Sequence, residues 1–218
     1  FPEIIVYGSA HCQAILQRPN AKVLMKELGT AARDLYRPES TEEIPVDDLA
    51  VDVALKDGDI VSLGNETIQA IEAKGHTDCS MAYALEPDGI LFTSESTGIV
   101  EAGLAINTPI LKSFADAKAS LDKCKAYGAR YICLPHFGLI PQDFNEEYWD
   151  RFEQGCEDRI QMAREMKAEG LEADQMLERY RDRYWDPIME QEQPIEAFLI
   201  NAKNIIKAAL RALEMEEK

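Results

Sequence analysis

Between residues 50 and 93 the apolar side chains recur at every second position, and on both sides of that block they recur at helical spacing. A period of two marks a strand with one face covered, and a period near 3.6 marks a helix with one stripe covered. A chain that switches between them folds as a sheet with helices packed on it. Val51, Val53 and Leu55 alternate, Asp57-Gly58-Asp59 turns the chain, and residues 60–64 and 67–73 follow as two further strands. Residues 80–85 and 90–93, joined by the turn Pro87-Asp88-Gly89, supply another pair. Connections this short predict an antiparallel or mixed sheet.

Upstream of the block, residues 3–7 read as a short buried strand, and Gly8-Ser9 lets the chain turn into a helix beginning near Ala10, with Ser9 as its cap. Val23, Leu24, Leu28, Ala31 and Leu35 mark a helix over 21–35, closed by Arg37-Pro38, and 39–48 is a polar loop. Downstream, a helix over 113–127 leads into a buried strand at 130–134. After Phe144 the pattern is helical: Trp149, Phe152, Cys156, Ile160 and Ala163 share one face, a shorter helix lies around 171–184, and Ile195, Phe198, Ala202, Ile205, Ala209 and Leu213 share another. The expected class is α/β, with a domain over 1–143 and a helical extension over 144–218. The chain opens on Phe1 and runs at once into Ile4-Ile5-Val6-Tyr7, so an upstream portion of the fold is expected to be missing.

The 218 residues are 46% hydrophobic, enough for a large core, and no apolar run reaches the ~18 to 20 residues that span a bilayer. The first residues lack the basic start and small-residue cleavage pattern of a signal peptide, and a cytoplasmic protein without a membrane partner is expected. Forty acidic residues against 23 basic give a formal charge of −17, with the basic residues scattered. A phosphate backbone is repelled by such a chain, so no nucleic-acid partner is expected. Cys12, Cys79, Cys124, Cys133 and Cys156 are odd in number and never form a Cys-x-x-Cys pair, which points away from a disulfide framework or a zinc knuckle and toward free thiols.

Two of the three histidines sit at strand ends. His76 closes the run that begins at Ile68, His136 closes the one that begins at Tyr131, and Glu95 follows the strand at 90–93. Imidazole and carboxylate are both ligands for zinc, and strand ends leaving one edge of a sheet hold them rigidly. Residue type and position alone fit two structurally neutral histidines and a solvated carboxylate better than a metal site. Cys79, three residues from His76, is a further candidate thiol or ligand. The aromatic residues Tyr148, Trp149 and Phe152, with Tyr180, Tyr184 and Trp185, either line a pocket or pack the core.

In order, Asp57-Gly58-Asp59, the strands at 60–64 and 67–73, Gly75-His76-Thr77, and Ile90-Leu91-Phe92-Thr93-Ser94-Glu95 resemble the central block of the metallo-β-lactamase superfamily. His76 and Glu95 lie 19 positions apart, and Leu134-Pro135-His136-Phe137-Gly138, with its histidine 41 positions beyond Glu95, is similar to the superfamily's final ligand segment. The resemblance implies a partial αββα metallo-β-lactamase sandwich with a C-terminal helical extension. It implies metal ligands His76, Glu95 and His136, with the carboxylate between two ions, and zinc as the cofactor, with iron or manganese as alternatives.

The sequence departs from that pattern in four places. Glu95 stands where the superfamily has aspartate, Ser94 where it has glycine, and Ala73-Lys74 where a residue-proline pair precedes Gly-His. The His-x-His-x-Asp-His cluster occurs nowhere in the chain, and His11 is not part of one. A binuclear site is therefore expected only if those N-terminal ligands are supplied. The implied function is metal-dependent hydrolysis of a small molecule, an ester or thioester, by the parent protein, with this chain alone inactive and a homo-oligomer left open. Two alternatives stand: a non-catalytic, metal-free binding module on the same fold, and a fragment of a flavodiiron-like diiron oxidoreductase, because Asp78 to Met81 after the histidine is similar to that family too.

Overall fold

A computed structural model describes residues 4–101 and 105–216. The chain forms two compact units, divided between Asp57 and Gly58. In the first, strand β1 (Tyr7–Ser9) runs into helix α1 (Ala10–Leu16), helix α2 (Pro19–Tyr36) follows, and strand β2 (Val53–Leu55) pairs in parallel with β1. Ser9 caps α1 by accepting a hydrogen bond from the Cys12 amide at 3.1 Å, as its position predicts. Pro19 opens α2, where its missing amide proton costs nothing.

Two expectations for this unit change. The first strand begins at Tyr7, not residue 3, and Ile4, Ile5, Val6 and Tyr7 are exposed instead of buried. The alternating segment at 51–55 pairs with β1 and lies outside the large sheet. Neither α1 nor α2 buries a residue, so the apolar stripe Val23, Leu24, Leu28 and Leu35 forms a helix yet stays open to solvent.

The second unit contains a six-stranded mixed sheet. Its strands are β3 (Ile60–Ser62), β4 (Thr67–Glu72), β5 (Met81–Glu86), β6 (Ile90–Phe92), β9 (Tyr131–Leu134) and β10 (Gly138–Leu139), in the spatial order β10-β9-β6-β5-β4-β3. All pairings are antiparallel except β6 with β9, which run in parallel with Leu91 opposite Ile132. A parallel neighbour needs a crossover. Here it is the hairpin β7 (Ile99–Glu101) and β8 (Ala105–Asn107), followed by α3 (Phe114–Tyr127). Ser113 caps α3 through the Asp116 amide, and Gly128 ends it in the left-handed conformation at φ 69°.

Small residues on the sheet set the depth of the core. Ala70, Ala73, Ala82 and Ala84 are fully buried, and Ala73, Ala82 and Ala84 belong with Leu91 and Ile132 to the same core as Ala117, Leu121 and Cys124 of α3. The remaining chain is helical as expected: α4 (Asn145–Ala168), α5 (Ala173–Tyr184), the short α6 (Met189–Glu192) and α7 (Ile195–Glu216). Tyr148 and Phe152 of α4 are fully buried, and the Tyr148 and Trp149 rings meet edge to face at 4.9 Å. Trp185 packs on Phe198 with ring centroids 5.0 Å apart. Core packing thus claims both aromatic groups, with Tyr180 buried and Tyr184 and Trp185 packed against the core, while Tyr180 and Tyr184 also border a cavity of about 420 Å³.

Candidate metal centre

His76 lies in the loop that leaves β4, and that loop is fixed by α3. Gly75 has φ 141°, and a Cβ there would come within 2.7 Å of the Ala117 Cβ and 2.8 Å of its Cα. Only glycine lets the loop approach the helix this closely. The Gly75 carbonyl accepts hydrogen bonds from the Lys112 and Ser113 amides at 3.0 and 3.2 Å. One residue earlier, Ser120 Oγ donates to the Lys74 carbonyl at 2.7 Å. His76 itself donates its amide to Ser96 Oγ at 3.0 Å, and its ring Nδ1 lies 2.6 Å from the Pro109 carbonyl oxygen. A carbonyl can only accept, so Nδ1 carries a proton and Nε2 faces outward.

Glu95 begins a 3₁₀ turn, Glu95–Thr97, directly after β6. Ser94, which stands where the resemblance gives glycine, ties this turn down locally. Its Oγ accepts from the Ser96 amide at 3.3 Å and donates to the Ala73 carbonyl at 3.4 Å. The Glu95 turn is thereby joined to the His76 loop on both sides. Below it, the buried Tyr148 hydroxyl donates to the Thr97 carbonyl at 2.5 Å and lies 3.1 Å from that of Gly98. Burial pushes the Tyr148 hydroxyl well above its ordinary pKa, so it remains a donor at any physiological pH.

His136 sits in the turn between β9 and β10 at φ 64°, the single non-glycine residue with positive φ among the described residues. Strained backbone of this kind costs of order 1–3 kcal/mol and gathers at functional sites.

The structure brings the three sequence-predicted side chains together around the carboxylate. Glu95 Oε2 lies 3.3 Å from His76 Nε2, and Glu95 Oε1 lies 3.3 Å from His136 Nε2. Side-chain exposure rises from 16% at His76 through 32% at Glu95 to 65% at His136, so the trio runs from interior to solvent. An ionised carboxylate has no proton to donate, and the His76 Nδ1 proton is already committed to Pro109. The His76–Glu95 contact therefore needs a proton on one of its two atoms or a metal ion between them. Imidazole nitrogen and carboxylate oxygen are both ligand types for a divalent ion such as zinc. The trio is nonetheless closed on itself: among the described residues, no group of three or more His, Cys, Asp and Glu side chains is disposed around a common ion position.

His11 lies on α1, in the first unit. The Cys79 sulfur is 3.3 Å from Thr77 Oγ1, and none of the five cysteines is in a disulfide. Burial pushes the Cys156 thiol up to about 12, which leaves it an inert core residue. Sequence reasoning missed Ser96, Pro109 and the supporting part of Tyr148. Each is fixed to the site across 20 to 51 residues of chain, and no local pattern signals it.

No protein-family model and no curated protein matches the sequence. Solved structures do. A metallo-β-lactamase family protein from Thermus thermophilus matches with a TM-score of 0.57 at 17% identity, covering 98% of this chain and 67% of its own. A β-lactamase domain protein from Burkholderia ambifaria matches with a TM-score of 0.54 at 19% identity, covering 89% of this chain and 56% of its own. The chain thus spans only part of each relative. At these identities the likeness is one of fold, and the mixed α/β chain has the metallo-β-lactamase fold.

Proposed function

We propose that this chain carries part of the site of a metal-dependent hydrolase acting on a small ester or thioester, with His76, Glu95 and His136 as ligands of a divalent ion, zinc before iron or manganese. The observation that carries the reading is the Glu95 carboxylate contacting both imidazoles, with one of its oxygens turned to each. When bound, the ion supplies Lewis acidity for a carbonyl oxygen and an acidified water at neutral pH. The Pro109 carbonyl holds the His76 ring in the tautomer that offers Nε2. Glu95 balances the charge between the imidazoles, and the Ser94 and Ser96 bonds keep it in place. Three donors suffice for one ion with open positions, and a second ion needs donors besides these.

Five cysteines outside any disulfide favour a reducing, cytoplasmic setting, and no helix among the described residues is long and apolar enough to cross a membrane. A formal charge of −17 favours a small-molecule substrate over nucleic acid.

A second reading rests on the same contacts. If protons satisfy both N···O contacts, the trio is a closed hydrogen-bonded cluster and the fold serves as a metal-free binding module. Calorimetric titration of the chain with Zn²⁺, Fe²⁺ and Mn²⁺ separates the two. The hydrolase reading predicts one ion per chain and an affinity lowered by about 100-fold or more in His76→Ala, since even partners of a ligand are worth roughly 10- to 100-fold. No ion uptake above that of the variant assigns the metal-free module.

A further inference from the structure

His76 also lines a cleft of about 600 Å³ whose opposite wall is α7. On the His76 side stand Thr77, Leu111 and Lys112; on the helix side stand Asn204, Lys207, Leu210, Arg211 and Glu214. The polar residues of α7 fall at spacings of three and four, which places them along one stripe of the helix. The buried residues Ala202, Ile205, Ala209 and Leu213 fix the helix from its other face, so the stripe is held toward the cleft by core packing.

The charge of this cleft runs against that of the chain. Three cations, Lys112, Lys207 and Arg211, line it with one carboxylate, Glu214, although the chain as a whole carries −17. Lys112 has a loose partner in Asp78 at 3.8 Å. Arg211 donates Nε to the Lys207 carbonyl at 3.2 Å, leaving its two terminal nitrogens for other acceptors. Among the described residues, neither Lys207 nor Arg211 forms an ion pair with a carboxylate. Two such cations on one stripe repel each other, and in an acidic protein they would gain by pairing elsewhere. An anion in the cleft removes that repulsion. Leu111 and Leu210 lie beside the cations and reduce the water that would otherwise screen them.

We infer that this cleft binds the anionic end of the substrate, a phosphoryl or carboxylate group carried by the same small molecule whose ester or thioester reacts at His76. The inference rests on the proposed function for which end of the molecule reacts. The anion site itself is independent of any metal. An approaching anion meets the long-range repulsion of the chain, and the local cations offset it only within the cleft, so occupancy there is selective for position as well as for charge.

The test is a titration of the ¹⁵N-labelled chain, in EDTA and at constant ionic strength, with inorganic phosphate, with acetate and with neutral acetamide. Saturable amide shifts at Thr77, Lys112, Lys207 and Arg211 with phosphate or acetate, and none with acetamide, are expected. Lys207→Ala/Arg211→Ala weakens that binding about tenfold, the combined effect of two exposed ion pairs. Lys207→Arg/Arg211→Lys retains it. Because both residues are exposed, the folded state is preserved, and Lys112→Met gives an independent loss from outside α7. Phosphate binding tighter than acetate assigns a phosphoryl group, and the reverse or equality assigns a carboxylate. Shifts no larger than those from chloride, or shifts unchanged in the alanine variant, overturn the proposal. With metal absent, such a failure says nothing against the ligands at His76, and a failure of metal binding leaves these shifts untouched.

Discussion

The two ends of the candidate site are built differently. At His76 the backbone is fixed from several directions: Gly75 pressed on Ala117, its carbonyl bonded to the start of α3, Ser120 on Lys74, Ser96 on the His76 amide and Pro109 on the ring. At His136 the side chain is 65% exposed, the backbone is in the left-handed region, and the supporting strand β10 is two residues long. Glu95 lies between them. A pocket that must position a ligand and still admit solvent and substrate divides the work in this way, with one imidazole preorganised by the core and the other left adjustable at the rim.

If that contrast is right, substitutions behind His76 cost most. Gly75→Ala forces a Cβ against the Ala117 backbone at a positive φ, and overpacking plus strain predicts a loss of about 2–5 kcal/mol in denaturant unfolding. An unchanged midpoint would mean that the loop is not pinned by α3. Tyr148→Phe is next, because it strips the buried Thr97 carbonyl of its donor. A loss of about 1–3 kcal/mol is expected, together with weaker metal uptake, because the Glu95 turn loses its support. The smallest effect lies at the rim. His136→Gly relieves the left-handed strain and His136→Ala does not, so the glycine variant should be more stable than the alanine variant by about 0.5–1 kcal/mol. Equal stabilities would show that the turn adopts another conformation in solution.

The same contrast explains what could be read from the sequence. The helices were legible because their signals are local: Ser9 and Ser113 as caps, and apolar residues three and four apart in α4 and α7. The strands β4 to β6 were legible because alternation and the turn at Pro87-Asp88-Gly89 lie within a few residues of each other. The hairpin β7–β8 was not, since two three-residue strands ending in Glu101 and beginning at Ala105 carry too few positions to show a period. Nor was the pairing of β2 with β1, because a parallel partner so far along the chain, Val53 for Tyr7, leaves no local trace. The stripe of α2 shows the opposite limit, where pattern fixes the secondary structure and leaves open whether anything covers the face; at Ile4 to Val6 the apolar run fixes neither strand nor burial. At the site, residue type and strand ends marked His76, Glu95 and His136 as candidates, and the resemblance implied their role as ligands. The groups that orient them come from Ser96, Pro109 and Tyr148, whose roles exist only once the chain has folded.

The most direct test uses the fact that the chain has three histidines, one of which, His11, belongs to the other compact unit. Following the imidazole ¹⁵N resonances during addition of Zn²⁺ should move Nε2 of His76 and His136 together, reaching a plateau at one ion per chain, while His11 stays still as an internal control. If His11 shifts as much as the other two, or if His76 and His136 titrate separately, the carboxylate does not bring the two imidazoles to a common cation and the account fails.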